Sequence, residues 1–130
     1  MNLNFKISEF TASQTAVQFK INNMPDINSL DCLLDLIFFV MQPLRDKLGK
    51  PIIISSGYRC YELNQKVGGV ATSQHIMGQA CDFTVPGMTV QQVFDFVQKS
   101  GIEYDQLIHE GNWVHISFVR GKNRRQAFKA

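Results

Sequence analysis

Cysteine is scarce in this chain: there are three in 130 residues, and Cys32, Cys60 and Cys81 form no C-x-x-C pair. An odd number without paired spacing argues against a disulfide scaffold and for a reducing compartment. Long apolar runs are missing too. The greasiest stretch, residues 33–41, is interrupted by Asp35 and falls well short of the roughly 20 residues that span a bilayer, so no membrane insertion is expected. Met1-Asn2-Leu3-Asn4-Phe5-Lys6 lacks a basic region followed by an apolar stretch. No secretory leader is therefore read, and the product is expected to start in the cytoplasm. Acid is absent from residues 119–130, which hold Arg120, Lys122, Arg124, Arg125 and Lys129; the remainder has eight basic against eleven acidic residues, a net charge of −3. A basic end on a slightly acidic body reads first as a solvated tail. Repeats, low-complexity segments and linkers are also lacking. The length fits one domain, expected over residues 1–118 with the tail at 119–130, and a monomer is expected.

What is present is ordinary globular patterning, with 45% hydrophobic and 18% charged residues. Leu30, Leu33, Leu34, Ile37, Phe38, Met41 and Leu44 recur at helical spacing and predict a helix over 29–48. Asn28 or Ser29 would cap it, Gly49 would close it, and Pro43 would kink or split it. Residues 51–55, with three isoleucines in a row, predict a strand covered on both faces. A short helix over 60–66, a loop over 70–79 and a strand over 80–85 follow. Thr89 and Gln92 make a capping box for a helix with Val90, Val93, Phe94 and Val97 on its buried side, stopped by Gly101. Residues 104–110 and 113–118 flank Gly111-Asn112 and predict a hairpin. The fold class expected is α+β, helices packed on a small, largely antiparallel sheet.

Two of the three histidines carry the chemical interest. His75 lies in the 70–79 loop, seven residues before Asp82, and His115 lies on the second hairpin strand. Taken singly, a loop histidine is a surface residue, and a histidine on an apolar strand is a buried, hydrogen-bonded one. Asp82 resists so plain a reading, because a carboxylate inside the apolar run 80–85 needs a cation or donors. Gly78 and Ala80 would keep the backbone small beside such a site. Two histidines and an aspartate form a ligand set that zinc accepts, and three protein ligands leave the fourth tetrahedral position for a water whose pKa falls to about 7.

The strings Ser56-Gly57-Tyr58-Arg59, Leu63-Asn64, Gly68-Gly69, Ser73-x-His75-x-x-Gly78-x-Ala80-x-Asp82 and Trp113-Val114-His115-Ile116-Ser117 resemble the zinc D-alanyl-D-alanine carboxypeptidase family. That family is related in fold to lysostaphin-type peptidases and the hedgehog signalling domain. The resemblance runs from Ile7-Ser8-Glu9-Phe10 to Phe118. It implies one zinc ion on His75, Asp82 and His115, and hydrolysis of peptidoglycan peptides by a D,D-carboxypeptidase or endopeptidase. Endolysins of this type set the chain in a phage or prophage context, where something else must release it to the wall. The resemblance also implies that Arg59 holds a substrate carboxylate or the developing oxyanion. Ser73 and Gln74 would orient the ligand loop and line the substrate site with Trp113. Cys81 should face away from Asp82.

The general base departs from the family pattern. Relatives carry Glu, Asp or His three residues before the last histidine ligand, where this chain has Asn112. If Gly111-Asn112 is a two-residue turn, Glu110 shares a face with Trp113 and His115 and becomes the candidate base; a bulge there would promote His109 instead. The loss of a base at position 112 keeps a second reading open, a non-catalytic zinc-binding recognition domain. A nucleic-acid or anionic-polymer binder acting through the basic tail has no motif behind it, and no nucleic-acid partner is expected.

Overall fold

A computed structural model describes residues 3–130; Met1 and Asn2, where the stretch read above for a leader begins, lie outside them. After a 3-10 turn at Ile7–Phe10 come α1 (Gln14–Gln18), α2 (Ile27–Leu36), a π-helical turn (Ile37–Met41) and α3 (Gln42–Leu48). The chain continues through β1 (Ile53–Ser56), α4 (Tyr61–Lys66), β2 (Ala80–Thr84), α5 (Val90–Lys99), β3 (Gln106–His109), β4 (Val114–Ser117) and β5 (Gln126–Lys129). The strands form one sheet in the order β1-β2-β4-β3-β5, antiparallel except for the parallel pair β3-β5. The architecture is α+β.

Asp26, rather than Asn28 or Ser29, caps α2, its carboxylate accepting from the Ser29 N–H at 2.8 Å. Pro43 does not break the helical run. Having no N–H, it cannot bond back to Phe39, and the chain widens into a π turn just ahead of it, where the Gln42 N–H donates to the Ile37 carbonyl. Helix therefore runs from Ile27 to Leu48, starting two residues before the expected 29–48, and its 22 residues could by length and composition cross a membrane. Here it is the core helix. Leu33, Leu36, Val40, Met41 and Leu44 are sealed against Cys81, Phe83, Val114, Ile116 and Leu107 of the sheet, joined by Val93, Phe94 and Val97 of α5. Thr89 and Gln92 form the reciprocal capping box on α5.

Two expectations need correction. β1 is an edge strand, not one covered on both faces: Ile53 is half exposed, and the bulge between Ile54 and Ser56 breaks its register with β2. Residues 119–130 are not a solvated tail, because β5 adds to the far edge of the sheet beside β3. The sequence hides this strand, since Gln126-Ala127-Phe128-Lys129 is short and half polar. What secures it is Asp105, 2% exposed, whose carboxylate accepts from the backbone N–H, Nε and Nη2 of Arg124 at 2.9, 2.9 and 2.7 Å. Arg120 and Arg125 are also engaged, with Asp35 and Glu103. Three of the five basic residues in this stretch are thus paired with acids of the fold, although their own side chains stay more than half exposed.

The Arg124 hydrogen bonds, opposed by burial, hold the Asp105 carboxyl at about 2, below its usual 3.8. A depressed folded-state pKa gives stability that is present above the unfolded value and lost as pH falls through the folded one. Urea unfolding from pH 5 to pH 2 should therefore lose stability most steeply below about pH 4, and Asp105→Asn should flatten that limb. An unchanged acid limb in the variant would show that Asp105 is not held this way.

Candidate metal centre

The loop between α4 and β2 carries His75 and holds it by its backbone. The His75 N–H donates to Ser73 Oγ at 3.2 Å, and the His75 carbonyl accepts from the Arg59 N–H at 3.0 Å. Gly78 turns the loop with φ 72°, and a Cβ there would collide with the Ser29 carbonyl of α2. Its smallness therefore serves packing against the helix, not clearance beside a metal as the sequence suggested. The imidazole of His75 is buried, and its Nδ1 donates to the Gly57 carbonyl at 2.7 Å. That bond sets the plane of the ring and turns Nε2 toward Asp82, the arrangement by which an outer partner orients a histidine ligand.

Asp82 lies at the centre of β2, directly across from His115 on β4. Its Oδ1 stands 3.4 Å from His75 Nε2 and 2.9 Å from His115 Nδ1, and one donor atom from each residue lies within 4.8 Å of the others. The two imidazoles meet edge to face with centroids 5.2 Å apart. Burial raises the Asp82 pKa, but hydrogen bonds from His115 and His75 outweigh it and hold the carboxyl at about 2. The carboxylate is ionised at neutral pH, as a metal ligand must be. Tetrahedral zinc with bonds of about 2.0–2.1 Å would set its ligand atoms roughly 3.3 Å apart. The observed spacings bracket that value, and the nitrogen–oxygen donor set suits the ion.

Beside this triad, with Asp82 in its wall, lies a cleft of about 930 Å³ lined by Arg59, Tyr58, Trp113, Ser55 and Ser56, by Thr15 and Val17 of α1, and by Leu63 of α4. The remaining motif strings hold Arg59. Its Nη1 donates to Asn64 Oδ1 at 3.2 Å, Asn64 Nδ2 donates to the Val70 carbonyl at 2.9 Å, and a Cβ on Gly69 would strike both Asn64 and Arg59. The Nε–H of Arg59 is buried without a protein acceptor. Burial lowers the Arg59 pKa while the Asp82 charge raises it, and an arginine stays a cation regardless. A buried donor left over on a cation beside the metal ligands suits an oxygen anion.

The other sequence candidates are spread more widely. Trp113 is partly exposed on the cleft rim. Gln74 does not line the cleft, since its amide donates to Asp105 at 2.9 Å. The hairpin register pairs Ile108 with His115 and His109 with Val114, without a bulge, and the Glu110 N–H donates to the Trp113 carbonyl at 3.0 Å. By alternation Glu110 shares the His115 side of the sheet, although it does not line the cleft itself. His109 turns to the opposite side, its ring against Phe94 of α5 and its Nδ1 accepting from the Gly111 N–H. The promotion of His109 that a bulge would have brought does not occur. Cys81 faces the core, 3.6 Å from Met41 Sδ. Sequence reasoning placed Gly57 and Tyr58 in a motif string without giving either a role, and it missed the Asp105 junction, whose partners Gln74 and Arg124 lie far apart along the chain.

A family model described as Peptidase M15 matches residues 3–117. A search of curated proteins finds no match.

Titration of the purified chain with zinc should show one tight site. Asp82→Ala should abolish stoichiometric uptake, while His109→Ala should retain it; equal uptake by the Asp82 variant would show that the triad is not the metal site.

Proposed function

This chain belongs to the Peptidase M15 family, and on that premise we propose that it is a zinc-dependent peptidase that hydrolyses peptide bonds of peptidoglycan stem peptides, as a D,D-carboxypeptidase or an endolysin-type endopeptidase. A metallopeptidase is what the family gives. The observation that carries the finer reading is the convergence of His75, Asp82 and His115 beside an open cleft. When bound there, zinc supplies a Lewis acid and an acidified water. The rest falls to the chain's own residues. Arg59, held by Asn64 with one N–H to spare, takes a substrate carboxylate or the oxygen on which charge develops; a fixed donor of this kind is worth about 3 kcal/mol in the transition state. Glu110, on the His115 side of the hairpin, takes a proton from the attacking water. Trp113 walls the cleft where the substrate chain enters, and Ser73 steadies the His75 backbone.

The peptidoglycan assignment is supported by the ordered set of motifs and by a cleft that places a cation beside the metal ligands, which suits a peptide with a free carboxylate. Such a substrate lies outside the cytoplasm, so this reading includes release to the wall, with a phage or prophage lysis setting as one route. One observation favours a second reading: the residue three before His115, the usual position of the base, is Asn112, exposed in the turn. On that reading the same fold binds zinc and a peptide without turnover.

Incubating the zinc-loaded chain with purified peptidoglycan fragments and reading the products by mass spectrometry separates the two. The peptidase reading predicts cleavage, and a kcat about 100-fold or more lower in Glu110→Gln with KM little changed. Cleavage by the variant at the wild-type rate would remove Glu110 from the mechanism. Binding of the fragments without cleavage by the wild type would establish the recognition domain.

A further inference from the structure

We propose that Asp105 and Arg124 form a strut that positions the His75 loop, so that the C-terminal segment beyond the matched residues 3–117 sets metal affinity. This rests on the metal reading above. The loop over residues 70–79 has no helix or strand of its own, so its tethers decide where His75 sits. One tether reaches across to the sheet: Gln74, the residue before the ligand, donates to Asp105 Oδ2 at 2.9 Å. Asp105 stands just ahead of β3, whose Ile108 pairs with His115. Its own N–H donates to the Ser117 carbonyl at 2.8 Å, and Ser117 Oγ accepts from the Gln106 N–H. The junction therefore ties the loop bearing one ligand to the strand bearing another.

A carboxylate this buried, with Gln74 as its one partner from the loop, would be costly to keep ionised. Arg124 supplies the counter-charge and three donors, and the C-terminal segment is locked alongside by the Arg125 N–H on the Tyr104 carbonyl and the Gln126 N–H on the Asp105 carbonyl. Without Arg124, Asp105 takes up water or a proton and its grip on Gln74 slackens. Without Gln74, the Asp105–Arg124 pair survives but the loop is free of it. Either loss leaves all three ligands in place and widens the range of positions His75 samples. The cost falls on preorganisation, and so on affinity. Gln74 and Arg124 are thus positioning residues.

The test is competition for zinc against a chromogenic chelator, well below the melting temperature, with hydrogen exchange at the His75 amide as a second readout. Gln74→Ala and Arg124→Ala should each bind zinc about tenfold more weakly and exchange His75 faster. The double variant should be no worse than the weaker single one, since both cut the same strut. Arg124→Lys should recover part of the loss, and Arg125→Ala, which breaks an exposed pair on the same segment, should bind as wild type does. Gln74→Ala keeps the Asp105–Arg124 pair and so gives a reading even if Arg124→Ala folds poorly. Wild-type affinity and exchange in Gln74→Ala would overturn the strut alone, as would an equal loss in Arg125→Ala. A wild-type chain that takes up no zinc would overturn the metal reading itself, and the strut with it.

Discussion

A single carboxylate bearing two imidazoles is the constraint around which this molecule is arranged. Asp82 sits mid-strand in a sheet whose other face is the hydrophobic core, a position where an uncompensated charge is costly. His115 reaches it across the β2–β4 ladder and His75 reaches it from a loop. The ladder placement is cheap to specify, because direct cross-strand pairing sets Asp82 opposite His115 by register alone. The loop placement is the demanding one. It needs the Gly57 carbonyl on Nδ1, the Ser73 hydroxyl on the backbone N–H, the Gly78 turn against α2 and the Gln74 tie to Asp105.

Seen this way, the short motif strings describe support more than chemistry. Gly57 lets β1 pass close to Phe10 and offers its carbonyl to His75, while Asn64 and Gly69 clamp the Arg59 guanidinium. The long helical run and α5 contribute no ligand and line none of the cleft around the triad. They make the opposite face of the sheet rigid, and that rigidity lets three side chains from distant points in the sequence hold a common centre.

Much of this was legible before the fold was known. Helix periodicity located the core helix, the Thr89–Gln92 pair located the start of α5, and Gly111-Asn112 located the hairpin, while its unbulged register, which separates Glu110 from His109, came from the structure. The convergence of His75 on the sheet was legible through the ordered motifs rather than through any local pattern. The errors have physical causes. Three consecutive isoleucines looked like a strand covered on both faces, but hydrophobicity does not reveal that nothing packs over the side of β1 where Ile53 stands half exposed. Pro43 left a kink and a break both open because a proline's missing donor does not tell whether a π turn will absorb it. The basic C-terminal stretch looked solvated because the acids that engage it, Asp35, Glu103 and Asp105, lie far away along the chain.

The most direct test of the central claim is X-ray absorption spectroscopy of the zinc-loaded chain at the zinc edge. The account predicts four light scatterers at about 2.0–2.1 Å, two of them imidazoles with their outer-shell signature, and no sulfur. A sulfur shell near 2.3 Å, or a signal with fewer than two imidazoles, would mean that the ion sits elsewhere and that Asp82 does not organise this site.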